Sequence, residues 1–235
     1  MELSKRLYAV AGLVTEGASV ADIGTDHGYI PIYLIEKKIA RRAIALDINK
    51  GPLKRAESHI AKYGLEEQIE TRLSDGLKAL RPGEADTVIA AGMGGPLIIK
   101  ILEEGENILD TFSSFILQPQ SEAGKVRRYL NGRGMRIICE DMIEEDGKYY
   151  PLMKAVRGME EPYEEWEYLY GKRLLEGRHP VLFEYLLRRE QIVEGILKQL
   201  RRAHDSGRRK ERISELQTEA DYIKEAQRCL REVKP

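Results

Sequence analysis

Asp22, Ile23, Gly24, Thr25, Asp26, His27 and Gly28 follow directly on an apolar run at residues 18–21. The spacing has the form of a nucleotide-binding strand-to-helix turn, in which glycines at 24 and 28 let the backbone turn sharply and approach a ligand closely. Asp26 stands where a dinucleotide loop has glycine. A pyrophosphate resting there would meet its carboxylate at short range, and like charges repel strongly in a partly buried site. A cationic ligand is favoured instead. S-adenosylmethionine carries a sulfonium and an ammonium and has no phosphate, so the turn leans toward methyl transfer and away from hydride or phosphoryl transfer.

Further candidates fall at later strand ends. Asp22 closes the first strand, where its carboxylate can accept from loop amides or a ligand. Asp47, followed by Ile48, closes the run 43–46 about 20 residues past the turn, a position suited to gripping ribose hydroxyls. The competing role for Asp47 is a helix N-cap, which Asn49 could fill as well. In Ser74-Asp75-Gly76, Asp75 could accept from an exocyclic adenine amine while Gly76 keeps the loop thin. Residues 91–96, Ala-Gly-Met-Gly-Gly-Pro, leave a pliable apolar opening in which Met93 packs either on a ligand or in the core. Gln118 and Gln120 add two amides that could line the same crevice.

These residues need a scaffold of alternating strands and helices. Residues 18–23, 42–47, 68–73, 86–91 and 113–118 read as strands, and 29–38, 50–63, 95–107 and 121–132 as helices. That rhythm predicts an α/β fold with a parallel, doubly wound sheet. Leu3, Leu7, Val10 and Val14 predict an amphipathic helix before it. Two further strands, at 135–142 and 149–156, flank Asp146-Gly147, a hairpin signal in a loop expected to be longer than the tightest turns. An antiparallel pair closing a parallel sheet is the ending of a class I, Rossmann-like methyltransferase. Beyond Gly158 two long helical patterns remain, with Leu182, Leu186, Val193, Ile196, Leu200 and Ala203 on one and Ile213, Leu216, Ala220, Ile223 and Leu230 on the other. Arg189 and Gln227 interrupt them, and Ser206-Gly207 marks the turn of an antiparallel, coiled-coil-like hairpin. The domains expected are 1–158, which binds the cofactor, and 159–235, which is helical.

Composition narrows the class. The 235 residues carry a net charge of -1, so no global field announces a nucleic acid or a membrane. Cys139 and Cys229 lack the spacing of a zinc or disulfide framework, no run is long enough for a transmembrane helix, and no metal is expected. A cytoplasmic protein fits. Charge gathers locally at the hairpin turn. Between residues 198 and 212, Lys198, Arg201, Arg202, Arg208, Arg209, Lys210 and Arg212 face only Asp205 and Glu211, an excess of five positive charges (seven less two). Such a tip can hold phosphates without reading sequence, or can be a plain solvated helix surface. Lys5 and Arg6 extend the candidate basic surface.

The segments DIGTDHGYIP, ALDIN, SDG, AGMGG and LQPQ, in this order and followed by a helical hairpin, resemble the bacterial tRNA (adenine-22-N1)-methyltransferase family, the TrmK type. The resemblance spans the chain. It implies a class I domain using S-adenosylmethionine and a C-terminal helical domain that helps hold tRNA. Gly24, Asp26, His27, Asp47, Asp75 and Met93 would then surround the cofactor or its entrance, with Asp22, Gly28, Ile48, Ser74 and Gly76 completing the cofactor set. N1 of adenine has a free lone pair, so its attack on a sulfonium methyl needs positioning more than proton removal. Asp26 would stabilise the cationic product or bind the cofactor's ammonium, and His27 would orient the base. The target must also be unstacked into the pocket, where Tyr29 or Met93 could pack on it. The alternatives are a methyltransferase for another RNA, a protein or a small molecule, a non-catalytic RNA-binding module, and, third, a nicotinamide dehydrogenase. The oligomeric state stays open, a monomer included.

Overall fold

A computed structural model of the protein describes residues 1–202 and 207–232. Ala203, Asp205 and Ser206, assigned above to the seam, the charge balance and the turn of the hairpin, lie outside the described residues. The chain forms two units, Met1–Glu161 and Pro162–Pro235.

In the first unit, β1 (Ala18–Ile23) is buried along its whole length, as a central strand covered on both faces must be. Beside it run β2 (Ala40–Asp47), β3 (Ile69–Leu73), β4 (Thr87–Gly94) and β5 (Ser114–Ser121), all five strands parallel to one another. β6 (Met135–Glu145) and β7 (Lys148–Arg157) complete a seven-stranded sheet of order β3-β2-β1-β4-β5-β7-β6, and β7 lies antiparallel to both β5 and β6. The strand order reverses between β1 and β4, and in such sheets the ligand crevice opens at the carboxyl ends of the strands flanking that reversal.

The terminal hairpin corrects one expectation. Its strands run on to Glu145 and Lys148, which pair directly, leaving only Asp146-Gly147 as the turn. Both residues have positive φ, 53° and 74°, as the tightest primed turns require. Glu144 and Glu145 hid this extension because they break the apolar alternation.

Helices cover the sheet. α1 (Lys5–Gly12) is capped by Ser4, whose hydroxyl accepts from Leu7 N, and buries Val10 and Ala11. α2 (Tyr29–Glu36) and α3 (Lys50–Tyr63) follow the first two strands, and Gly64 at φ 66° closes α3 in the left-handed conformation. The helix expected over 95–107 divides at Gly105 into α4 (Gly95–Glu104) and α5 (Glu106–Leu109). A Cβ on Gly105 would stand 2.4 Å from the Leu77 side chain, so the chain bends there to pass Leu77. α6 (Ala123–Gly132) leads into the hairpin. Its Arg127 pairs with Glu140 of β6 at 2.7 Å, and both side chains are buried.

In the second unit two short helices, α7 (Glu165–Tyr170) and α8 (Lys172–Glu176), precede α9 (Pro180–Arg202) and α10 (Gly207–Arg231). Leu182, Leu186 and Val193 of α9 are buried, as are Leu216, Ile223 and Leu230 of α10. Leu197, in place of Ile196, takes the next buried position on α9. The two polar interruptions have partners: Arg189 makes a two-point ion pair with Glu219 at 2.5 and 3.0 Å, and Gln227 donates to Glu190 at 2.9 Å. Among the described residues no helix is long and apolar enough to cross a membrane.

Candidate active site

A cavity of about 350 Å³ opens at the switch between β1 and β4. Asp22, Gly24, Thr25, Asp26, His27 and Tyr29 line it from the turn after β1, Ala91 and Gly92 from β4, Gln120 from β5, and Arg6 from α1. The turn holds its shape through glycine. Gly24 sits at φ 73° and Gly28 at φ 70°, in the left-handed region that other residues rarely enter. Backbone N–H groups of Gly24 and Thr25 both donate to Leu46 O, at 2.7 and 2.9 Å, which fastens the turn to β2. The Met93 side chain lies over Gly24, so close that a Cβ there would be 2.4 Å from its Cε. Met93 thus packs on the turn itself.

Asp22 forms the buried charge of the site. It is 5% exposed, and burial pushes its carboxyl up to about 7. The Thr25 hydroxyl lies nearby and pulls the value partly back, while the charge of Asp47 adds to the rise. Thr25 Oγ1 is itself buried and makes no full hydrogen bond. A carboxyl held near neutrality beside an unsatisfied hydroxyl is a polar floor that favours a bound cation.

Asp26 is placed differently. Its side chain is 62% exposed and forms an ion pair with Arg55 of α3, and His27 Nε2 lies 3.3 Å from Asp26 Oδ2. Of the two acids in this segment Asp22 is the buried one, while Asp26, the acid the sequence singled out, stands at the mouth already facing the Arg55 guanidinium. Arg6 closes the opposite side. Its Nη1 donates to Gln118 Oε1 at 2.8 Å, and its guanidinium lies 5.6 Å from the centre of the Tyr150 ring. Gln118 is fully buried and also accepts from Gly92 N at 3.1 Å, so it fixes both Arg6 and the β4 loop. Of the two amides assigned to the crevice, Gln120 lines it and Gln118 lies beneath it.

The remaining candidates sit along the neighbouring strand ends, outside the cavity lining. Asp47 is 9% exposed, and its Oδ1 accepts from Asn49 N at 2.7 Å. Asn49 occupies the N-cap of α3 without a side-chain bond. Ile48 is 61% exposed, an apolar surface beside that acid. Ser74 is buried and serves its own loop, its hydroxyl donating to Gly76 O and accepting from Ala79 N. Lys78 lies 2.5 Å from the Asp75 carboxylate and holds it below its ordinary range. Gly76, at φ 60°, stands close to Ile101.

The basic candidates separate into two groups. Lys5 is exposed on α1 near Arg6, and its backbone N–H donates to Glu145 at 2.7 Å. In the second unit, Arg201 and Arg202 end α9, and Arg208, Arg209, Lys210 and Arg212 begin α10, where Arg212 pairs with Glu215 at 2.6 Å. Among the described residues no group of three or more His, Cys, Asp or Glu is placed to hold a metal ion. Sequence spacing did not reveal Arg55, Thr25 or His59. Arg55 and His59 approach the turn only because α3 packs there, 29 and 32 residues away along the chain.

The chain matches a family model described as a methyltransferase domain over residues 3–153. It is 36% identical over 230 residues to the tRNA (adenine(22)-N(1))-methyltransferase of Bacillus subtilis (strain 168), covering 96% of this chain and 97% of that protein. Two solved structures align along nearly the full length of both chains. Streptococcus pneumoniae Sp1610, a putative tRNA methyltransferase in complex with S-adenosyl-L-methionine, has a TM-score of 0.87 at 32% identity, covering 96% and 100% of the two chains. M. capricolum TrmK, in complex with S-adenosyl-homocysteine, has a TM-score of 0.85 at 29% identity, covering 98% and 100%. With its glycine turn at the β1/β4 switch, its antiparallel sheet ending and its helical hairpin, this chain belongs to the TrmK-type tRNA (adenine-22-N1)-methyltransferase family.

Proposed function

We propose that this protein is a cytoplasmic enzyme that transfers the methyl group of S-adenosylmethionine to N1 of adenine 22 in tRNA. The observation that carries the reading is the buried Asp22 on the floor of the β1/β4 cavity, in a chain of this family. A carboxyl that burial keeps near neutrality gains most from a positively charged ligand, and it disfavours the phosphates of a dinucleotide. Asp22 and Thr25 then hold the cationic end of the cofactor, Gly24 and Gly92 let it lie against the backbone, and Asp47 with Ile48 takes its ribose and adenine side. Asp75 is exposed enough to exchange Lys78 for an adenine amine.

The bound cofactor supplies an electrophilic sulfonium methyl. The chain's own residues arrange the acceptor. Tyr29 and His27 line the side of the cavity by which an unstacked base enters, and Arg6, fixed by Gln118 and Tyr150, closes the other side. N1 needs no general base, because the attacking lone pair is free. Methylation leaves a cationic ring, and Asp26 at the mouth stabilises that developing charge while His27 keeps the carboxylate oriented. In the second unit, the basic start of α10 supports a tRNA contact. Cations in the first turn of a helix oppose its dipole. Phosphate contacts give these cations a purpose.

Transfer of labelled methyl from S-adenosylmethionine to total tRNA tests the reading. Incorporation into tRNA is expected; incorporation only into protein or small molecules, or none at all, would overturn it.

A further inference from the structure

Three rings meet at the rim of the cavity. His27 and Tyr29 are nearly parallel, 10° apart with centres separated by 5.0 Å; His59 of α3 lies 5.4 Å from His27 and 5.5 Å from Tyr29, at 21° and 11°. Since each centre is about equally far from the other two, the rings form a triangle of overlapping tiles, not a column. The tile is held rigidly. His59 Nδ1 lies 3.0 Å from the His27 carbonyl oxygen, and Gly28 lets α3 approach so closely that a Cβ there would stand 3.3 Å from Ala56 Cβ. Yet it stays accessible: Tyr29 is 37% exposed and the His27 side chain 31%.

The tile leads away from the cavity. His27 and Tyr29 line the pocket and His59 does not, so His59 carries the aromatic surface outward along α3. Arg55, His59 and Lys62 recur at i, i+4 and i+7 and share one helix face. Lys62 is exposed and enters no ion pair among the described residues. Flat aromatic surface beside an unpaired cation is the chemistry that holds single-stranded nucleic acid, the rings taking bases and the cation a phosphate.

We propose that His59, together with His27 and Tyr29, forms a stacking platform for an unpaired RNA base adjacent to the target nucleotide, with Lys62 holding its phosphate. The proposal rests on the tRNA methyltransferase reading and adds a site to it. By stacking the neighbour, the platform separates the target from the base beside it and keeps it turned toward the cavity. His59 is thereby a positioning residue.

Steady-state kinetics with tRNA, and titration calorimetry with S-adenosylmethionine alone, test it on His59→Ala, His59→Phe and Lys62→Gln proteins. His59→Ala is expected to raise the KM for tRNA about tenfold, the scale of losing one stacked base, with kcat and cofactor affinity near wild type. His59→Phe should restore KM because it keeps a flat ring. The Lys62→Gln variant should reduce the salt slope of tRNA binding by about 1. Wild-type transfer to tRNA in the same assay checks the underlying reading, and its failure would remove both. With wild type active, an unchanged KM in His59→Ala overturns the platform alone. So does an equal loss in a folded His59→Phe, or a matching fall in cofactor affinity. Should His59→Ala fail to fold, the Phe and lysine variants decide on the same criteria.

Discussion

Asp22 sets the electrostatics of the cavity, and its protonation makes them pH-dependent. Its carboxyl is raised from 3.8 to about 7 by burial, so between those values the folded chain keeps a proton that the unfolded chain has released. This contribution to stability is full below about pH 4 and is lost as pH rises toward 7, on the order of 4 kcal/mol in all. Asp22→Asn should flatten that slope and raise the melting temperature above pH 7, as thermal denaturation at several pH values would reveal. The same substitution should weaken cofactor binding. In the wild type, S-adenosylmethionine affinity should tighten with pH up to about 7 and then level off, with a proton released on binding, seen by calorimetry in buffers of different ionisation enthalpy. Asp26 calls for a different measurement. Asp26→Asn should lower kcat by about 100-fold while leaving cofactor affinity nearly unchanged; an equal loss of affinity would assign it to the cofactor's ammonium. The acids and glycines of this turn were legible in the sequence because they are adjacent there. Their partners Arg55 and His59 were not, since only the packing of α3 brings them to the turn.

At the level of elements, the site depends on how closely strands and helices approach one another. Gly24→Ala would hold a side chain at φ 73° and displace Met93 from its place over the turn. The expected loss is about 1–2 kcal/mol of stability, read by denaturant titration, together with weaker cofactor binding. The alternation of strands and helices was plain from periodicity, and so was the antiparallel ending. What periodicity missed has local causes. Glu144 and Glu145 disguised the last residues of β6, and Leu77 forces the break at Gly105 from a distance in sequence. In the hairpin, Arg189 and Gln227 looked like faults in an apolar seam, and they are satisfied by Glu219 and Glu190 on the facing helix. The side chain pairing across two helices is not written in the pattern of either one.

For the whole molecule, the first unit carries the cavity with its buried acid and the second a helical pair with basic residues at the end of α9 and the start of α10. Replacing Arg208 and Arg209 by glutamate should weaken tRNA binding at least tenfold at low salt and reduce its salt dependence, measured by filter binding, while cofactor affinity stays unchanged. Charge counting picked out this basic segment, but not its cost: three cations in the first turn of α10 oppose the helix dipole, which only the helix boundary makes visible. The specificity of the reading, adenine 22 and its N1 atom, comes from family membership over the whole chain, and one experiment addresses it directly. A methyl on N1 blocks the Watson–Crick edge, so reverse transcription of tRNA incubated with the enzyme and S-adenosylmethionine should stop beside adenine 22, and a tRNA carrying guanine there should be read through. A strong stop at another position, or methyl incorporation without any stop, would contradict the assignment.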